Sequence, residues 1–313
     1  MMTMTPKQDT MAARQDTGQG TAKQGTARQQ ETTIRIPGLI NDLTLMHVTD
    51  CHLTECDERE TAAIREAARN RAKVFADQLD GGDTTLGIFQ RFIDDSNEQQ
   101  VDFTVFTGDI IDFPSQANLE TIRAAYDRLN SPFLYTLGNH DWYFDGRFTD
   151  EVRAEAYPQF RDWISTTPGC DVRTVGGVKL IALDNSNYQV TREQFETIRE
   201  AAALDEPYLL FMHIPMYLSG LVKDVVDKWK APILMGASGW DPEVREAWQV
   251  RHQDESTGEF CRWLASPDSG NIRGIFCGHV HLNHTDAFRE GRYQYVTASG
   301  YTSTSRLIRL IAD

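Results

Sequence analysis

The chain has 313 residues, 40% hydrophobic and 25% charged, the composition of a water-soluble globular protein rather than a fibrous, collagen-like or wholly disordered one. Its 31 Lys and Arg against 46 Asp and Glu leave a formal net charge of −15, a field that repels polyanions and disfavours nucleic acid as a partner. No run of about 18 apolar residues that would span a bilayer exists, and the first twenty residues lack the apolar stretch of a secretory signal, so a cytoplasmic protein without membrane partners is expected. The five cysteines (51, 56, 170, 261 and 277) form no CxxC pair and are read as reduced structural thiols.

Along the chain, residues 1–33 are rich in Thr, Gln, Gly and Ala and repeat short units such as QDT, so they are expected to be a disordered low-complexity tail. Residues 34–313 are then one domain. Strand patterns begin at LTLMHVTD (43–50), followed by a long helical segment at 57–79, a strand DFTVFTGD (102–109), a helix at 118–130 and a strand FLYTLGNHD (133–141). A helix at 150–165, a strand VKLIALDNS (178–186), a helix at 191–203 and a strand YLLFMH (208–213) come next. Residues 214–256 carry Tyr217, Trp229, Trp240 and Trp248 without a firm strand, and a connection that long suggests a functional lid. A helix at 257–266 precedes the strands IRGIFCGHVH (272–281), RYQYVTAS (292–299) and SRLIRLI (305–311). Helix and strand alternate first and strands then follow one another, which predicts an α/β fold with a mixed sheet or two packed sheets flanked by helices.

Five of these apolar runs stop on ligand-type side chains: Asp50-Cys51-His52, Gly108-Asp109 through Asp112, Gly138-Asn139-His140-Asp141, His213, and Gly278-His279-Val280-His281. Singly they say little: Asp-x-His arises by composition, Asp109 would serve as a helix cap, and an isolated His213 reads more readily as a packed core histidine. His279 and His281 are better, since alternate residues of an extended segment share a side. Ligand sites in open α/β sheets gather outside the carboxyl ends of strands, so five such endings can meet in one crevice.

In this order the five blocks resemble the DxH, GDxxD, GNH(D/E), H and GHxH signature of the calcineurin-like metallophosphoesterases, over roughly residues 43–300. The resemblance implies a four-layer α/β/β/α sandwich with mixed sheets and two metal ions between the sheet ends. It assigns Asp50, His52 and His281 to the first ion, Asn139, His213 and His279 to the second, and Asp109 to both. Oxygen and imidazole donors without thiolate suit Mn²⁺, Fe²⁺/Fe³⁺ or Zn²⁺. The implied reaction is hydrolysis of a small phosphomonoester or phosphodiester, a nucleotide or cyclic nucleotide among them, by attack of a metal-bridging hydroxide. His140 is implied as general acid, oriented by Asp112. Trp142 and Tyr143 either flank the substrate or pack under the metal loop, and Tyr217 follows an His-x-Pro turn that other members share. Asp112 replaces the tyrosine of purple acid phosphatases, so a purple enzyme is not expected. The alternatives are a nuclease acting on DNA or RNA, and a non-catalytic protein-binding module on the same fold, as in one retromer subunit. Oligomeric state is left open.

Overall fold

Alternating side chains sort the apolar residues of each strand onto two faces. Leu45 of the first apolar strand points one way and Met46 and Val48 the other; Phe103 and Val105 oppose Phe106; Val178, Leu180 and Ala182 oppose Ile181 and Leu183. Strands buried on both faces need a layer on each side. The computed structural model, which describes residues 28–79, 82–144, 146–164 and 169–312, supplies them as helices, sheet, sheet and helices.

In chain order, β1 (Arg28–Ile36) and β2 (Leu43–Val48) lead to α1 (Ala62–Ala76), α2 (Thr85–Glu98), β3 (Phe103–Thr107), α3 (Gln116–Tyr126), β4 (Phe133–Thr136), the single turn α4 (Asn139–Trp142) and α5 (Asp150–Phe160). The second half runs β5 (Cys170–Val175), β6 (Val178–Leu183), α6 (Arg192–Ala202), β7 (Tyr208–Met212), α7 (Ser219–Trp229), α8 (Pro242–Ala247) and α9 (Glu255–Ala265). It closes with β8 (Ile272–Cys277), β9 (His284–Arg289), β10 (Arg292–Val296) and β11 (Thr304–Ala312). One sheet has the order β1-β11-β2-β3-β4 and the other β5-β6-β7-β8-β10-β9. Both are mixed: β2, β3 and β4 are parallel while β11 runs antiparallel to β2, and β6, β7, β8 and β10 are parallel with antiparallel β5 and β9 outside them.

Leu45, Val105 and Leu134 of one sheet share a core with Leu180, Leu209, Phe211 and Phe276 of the other. Ile88, Phe89 and Phe92 of α2 cover the outer face of the first sheet, and Phe195, Ile198, Phe260 and Leu264 cover that of the second. Burying each such side chain contributes roughly 1.5–3 kcal/mol relative to exposure. The helices begin where a side chain satisfies their first amides: Thr61 accepts from the Ile64 amide, Thr84 from Gly87, Ser115 from Asn118 and Thr191 from Gln194. No helix among the described residues is long and apolar enough to cross a membrane.

Two expectations change. Residues 28–33, assigned to the disordered tail, are the first six residues of β1, which pairs in parallel with β11 along nine residues. Thr32, Ile34 and Ile36 are buried while Glu31, Thr33 and Arg35 are exposed, so one face of a polar-looking segment seals the sheet edge. Residues 1–27 lie outside the described residues. The 214–256 connection is not a free lid over its length: Leu221, Val225 and Trp229 of α7 are buried in the core of the second sheet, making α7 a fixed wall.

Candidate metal centre

Chain loops leaving β2, β3 and β4 meet those leaving β7 and β8. The Asp50 amide donates to the Gly108 carbonyl (3.0 Å), the His52 amide to the Asp109 carbonyl (2.9 Å) and the Gly278 amide to the His213 carbonyl (3.0 Å). Close approach requires glycine: a Cβ on Gly108 would lie 2.1 Å from the Gly138 nitrogen, and one on Gly278 would lie 2.2 Å from Asp50 Oδ2. Asp141 pins two loops together, its carboxylate accepting from the amides of Gly138 (2.7 Å), Asp109 (2.9 Å) and Ile111 (3.1 Å). Asp50, His52, Asp109, His279 and His281 all have φ between 49° and 68°. Such backbone is costly for residues with side chains, and its concentration here marks a functional site.

The side chains form two groups. In one, Asp50 Oδ1 lies 3.2 Å from His281 Nε2, and His52 Nε2 faces His281 Nε2 at 3.1 Å. In the other, His213 Nε2 lies 3.1 Å from Asp109 Oδ2 and 3.2 Å from His279 Nδ1. Asp109 Oδ2 is also 3.9 Å from His52 Nε2, so this carboxylate stands between the groups. The outward nitrogens are occupied: His52 Nδ1 donates to Asp112 Oδ1 (2.9 Å) and His213 Nδ1 to the Thr107 carbonyl (2.7 Å), while His279 Nε2 pairs with the Tyr188 hydroxyl (2.9 Å). In the neutral rings this leaves the inward nitrogens of His52 and His213 as the ones that can present a lone pair, as metal ligation requires. Asn139 Oδ1 is buried with no hydrogen-bond partner, a cost that a cation would relieve. Each group meets the donor count and proximity of a metal site, and the residues fit the two ions expected from the sequence.

Within this cluster, protons and acids balance one another. Burial favours neutral His213, but the Asp109 carboxylate overrides it and raises its pKa to about 9. Burial likewise opposes ionised Asp50, yet His281 and His213 hold it at about 2. His279 is lowered to about 3 by burial and by neighbouring His213. Asp141 moves the other way, to about 7, because it is buried beside Asp109. The site is thus a desolvated cluster of acids partly neutralised by imidazolium.

His140 extends from the α4 turn. Its amide donates to Asp109 Oδ1 (2.8 Å) and its Nδ1 to the Asp112 backbone carbonyl (3.2 Å). Its side chain is 19% exposed, against 2% for His52 and 0% for His213. The expected carboxylate clamp takes a different form: Asp112 Oδ1 is 3.5 Å from His140 Nδ1, and the carboxylate is committed to His52 and to Arg71, whose Nε and Nη2 donate at 2.6 and 2.7 Å. Burial raises the Asp112 pKa, but Arg71 more than compensates and holds it well below the usual carboxylate range.

Trp142 is packed inside the molecule. It is 2% exposed, donates through Nε1 to Ser186 Oγ (2.9 Å) and stacks on Phe148. Tyr143 is half-buried and its hydroxyl accepts from Gln249 Nε2 (3.1 Å); Tyr217 packs against the core of the second sheet. Sequence reasoning missed Arg71 and Phe75 of α1, the latter stacked on His52 at 5.2 Å, whereas Trp229, noted in the 214–256 connection, lies 5.2 Å from His281. Tyr188 was missed as well. His47 is held between the Thr297 and Thr107 hydroxyls, and Cys51 takes the structural place expected of it, buried in the core beneath α2.

A profile of the family described as calcineurin-like phosphoesterase matches residues 43–283. No curated protein matches the chain. Among solved structures, a dimetal phosphatase from Danio rerio is similar at 13% identity, covering 83% of this chain and 88% of that one with a TM-score of 0.49. The purple acid phosphatase PPD1 from seeds of yellow lupin (Lupinus luteus) is similar at 11% identity, over 83% of this chain and 44% of that one, with a TM-score of 0.48. A phosphopantetheinyl hydrolase from Mycobacterium tuberculosis is similar at 11% identity over 83% and 91%, with a TM-score of 0.41.

Proposed function

The chain belongs to the calcineurin-like phosphoesterase family and is a phosphoester-hydrolysing enzyme, and from that premise we propose that it uses two metal ions to cleave a small phosphomonoester or phosphodiester. The family implies a dinuclear divalent centre. Asp50, His52 and His281 would hold one ion and Asn139, His213 and His279 the other, with Asp109 shared. The observation that carries this reading is the position of Asp109 Oδ2, 3.1 Å from the inward Nε2 of His213 and 3.9 Å from that of His52. Two bound ions would acidify a water and neutralise charge at the attacking and leaving oxygens of an in-line displacement.

Much of the remaining chemistry falls to His140. With Nδ1–H donated to the Asp112 carbonyl, its protonated form carries the second proton on Nε2 and can deliver it to a leaving oxygen. The Asp112 carboxylate lies 3.5 Å from that Nδ1. Oxygen and nitrogen donors without thiolate support Mn²⁺, Fe or Zn²⁺. The net charge of −15 supports a small substrate, such as a nucleotide or cyclic nucleotide, over a polymer. The test is a Mn²⁺-supplemented comparison of p-nitrophenyl phosphate, bis-p-nitrophenyl phosphate and cyclic nucleotides. Turnover of at least one, abolished by chelation and restored by Mn²⁺, is expected; chelation-insensitive turnover would refute the metal mechanism.

A further inference from the structure

The turn leaving β6, Asp184-Asn185-Ser186-Asn187-Tyr188, is buried throughout and contains none of the candidate ligands. Three of its side chains reach three different metal-bearing loops. Asn185 clamps the residue after His213, its Nδ2 donating to the Ile214 carbonyl (2.7 Å) and its Oδ1 accepting from the Ile214 amide (3.0 Å). Ser186 Oγ accepts from Trp142 Nε1 (2.9 Å), at the end of the turn that carries Asn139. The Tyr188 hydroxyl meets His279 Nε2 at 2.9 Å.

Those three loops carry Asn139, His213 and His279, the unshared donors of one ion position. Among the described residues, Asp50, His52 and His281 take no hydrogen bond from this turn; the hydrogen-bond partners of their side chains are Thr49, the His279 amide, Asp112 and one another. The turn is itself anchored. Asp184 Oδ1 accepts from the Ser186 amide (2.9 Å) and hydroxyl (2.5 Å), its Oδ2 accepts from Tyr157, and its carbonyl accepts from Gln194 Nε2 of α6 (2.8 Å). Tyr188 sits at φ 67°, a costly conformation for an aromatic residue that persists only where its surroundings impose it.

We propose that Asn185, Ser186 and Tyr188 are positioning residues for the second ion alone, an inference that rests on the dinuclear reading. With His279 Nε2–H donated to the Tyr188 oxygen, Nδ1 is the lone pair turned toward His213 and Asp109. Asn185 and Ser186 fix the backbone from which the other two donors project. Outer hydrogen bonds of this kind set ligand tautomer and orientation, and their loss lowers metal affinity about 10–100-fold.

The experiment titrates metal-free, full-length protein with Mn²⁺ by calorimetry for wild type, Tyr188→Phe, Ser186→Ala, Asp112→Asn and Tyr208→Phe. Wild type should take two ions. Tyr188→Phe and Ser186→Ala should each weaken one equivalent about 10–100-fold and leave the other unchanged. Asp112→Asn, which disturbs the support of His52, should weaken the other equivalent, so that combining it with Tyr188→Phe weakens both. Tyr208→Phe loses a buried hydroxyl bonded to the Ser269 carbonyl (2.7 Å); it should lower Tm without changing either affinity. If Tyr188→Phe and Ser186→Ala weaken both equivalents alike, or neither, the turn has no dedicated role. A wild-type chain that takes fewer than two ions overturns the dinuclear reading, and this inference with it.

Discussion

His140 stands apart from the other site histidines because its ring reaches solvent while its backbone is fixed to Asp109. If it delivers a proton to the leaving group, His140→Ala should lower kcat by about 10²–10⁴ for alkyl phosphoesters. It should matter much less for p-nitrophenyl esters, whose leaving group needs no protonation. Both ions should remain by metal analysis; equal losses on both substrates would remove the acid role. Asp112→Asn should behave differently, since that carboxylate supports His52 directly. If His213 holds a cation, metal binding should depend on pH. Its pKa of about 9 means a proton occupies Nε2 below that pH and must leave before a cation binds. Mn²⁺ affinity should therefore rise by about tenfold per pH unit between pH 6.5 and 8.5; a flat profile, measured by calorimetry, would contradict the displaced proton.

Elements differ in how plainly the sequence announces them. The strands β2, β3, β6, β7 and β8 are legible because burial on both faces makes them nearly continuous apolar runs, and β2, β3, β7 and β8 lead directly into candidate ligands. By contrast β1, β5 and β9 escape sequence reading, and all three are sheet edges. An edge strand covers one face only and keeps charges on the other, as Glu31 and Arg35 of β1 and Asp171 and Arg173 of β5 show, while β9 (HTDAFR) buries only Phe288. Arg71 was illegible for another reason: it is one of several arginines on α1, and nothing in their spacing says which reaches Asp112. Tyr188 lies beyond the strand pattern, in a turn whose role appears only when the chain closes. Because Arg71 and Asp112 have side chains 13% and 1% exposed, Arg71→Met should cost about 3–5 kcal/mol by leaving the carboxylate short of its cation. Denaturant unfolding measures this; a loss under 1 kcal/mol would mean the pair is compensated.

For the whole molecule, the centre is a seam. Asp50, His52, Asp109 and Asn139 follow strands of one sheet, His213, His279 and His281 follow strands of the other, and the geometry depends on how the two faces pack. Part of that packing comes from β1. Ile34 and Ile36 are buried between the sheets, and Thr32 and Gln30 accept from buried Arg306 at 2.8 and 2.7 Å. Deleting residues 1–36 should therefore lower Tm markedly, whereas deleting residues 1–27 leaves every one of these contacts in place and should not. Equal Tm values for both truncations would show that β1 adds nothing to the sandwich.

Asp109 is the residue on which the two donor groups depend together. The most direct measurement is metal content and turnover of the wild type and Asp109→Asn after stripping and reconstitution with Mn²⁺. Two ions per wild-type chain are expected, with hydrolysis of bis-p-nitrophenyl phosphate or p-nitrophenyl phosphate only when both are present, and loss of the pair in Asp109→Asn. A wild type that turns over with one ion or none, or an Asp109→Asn variant that retains two ions and full activity, would contradict a shared dinuclear centre.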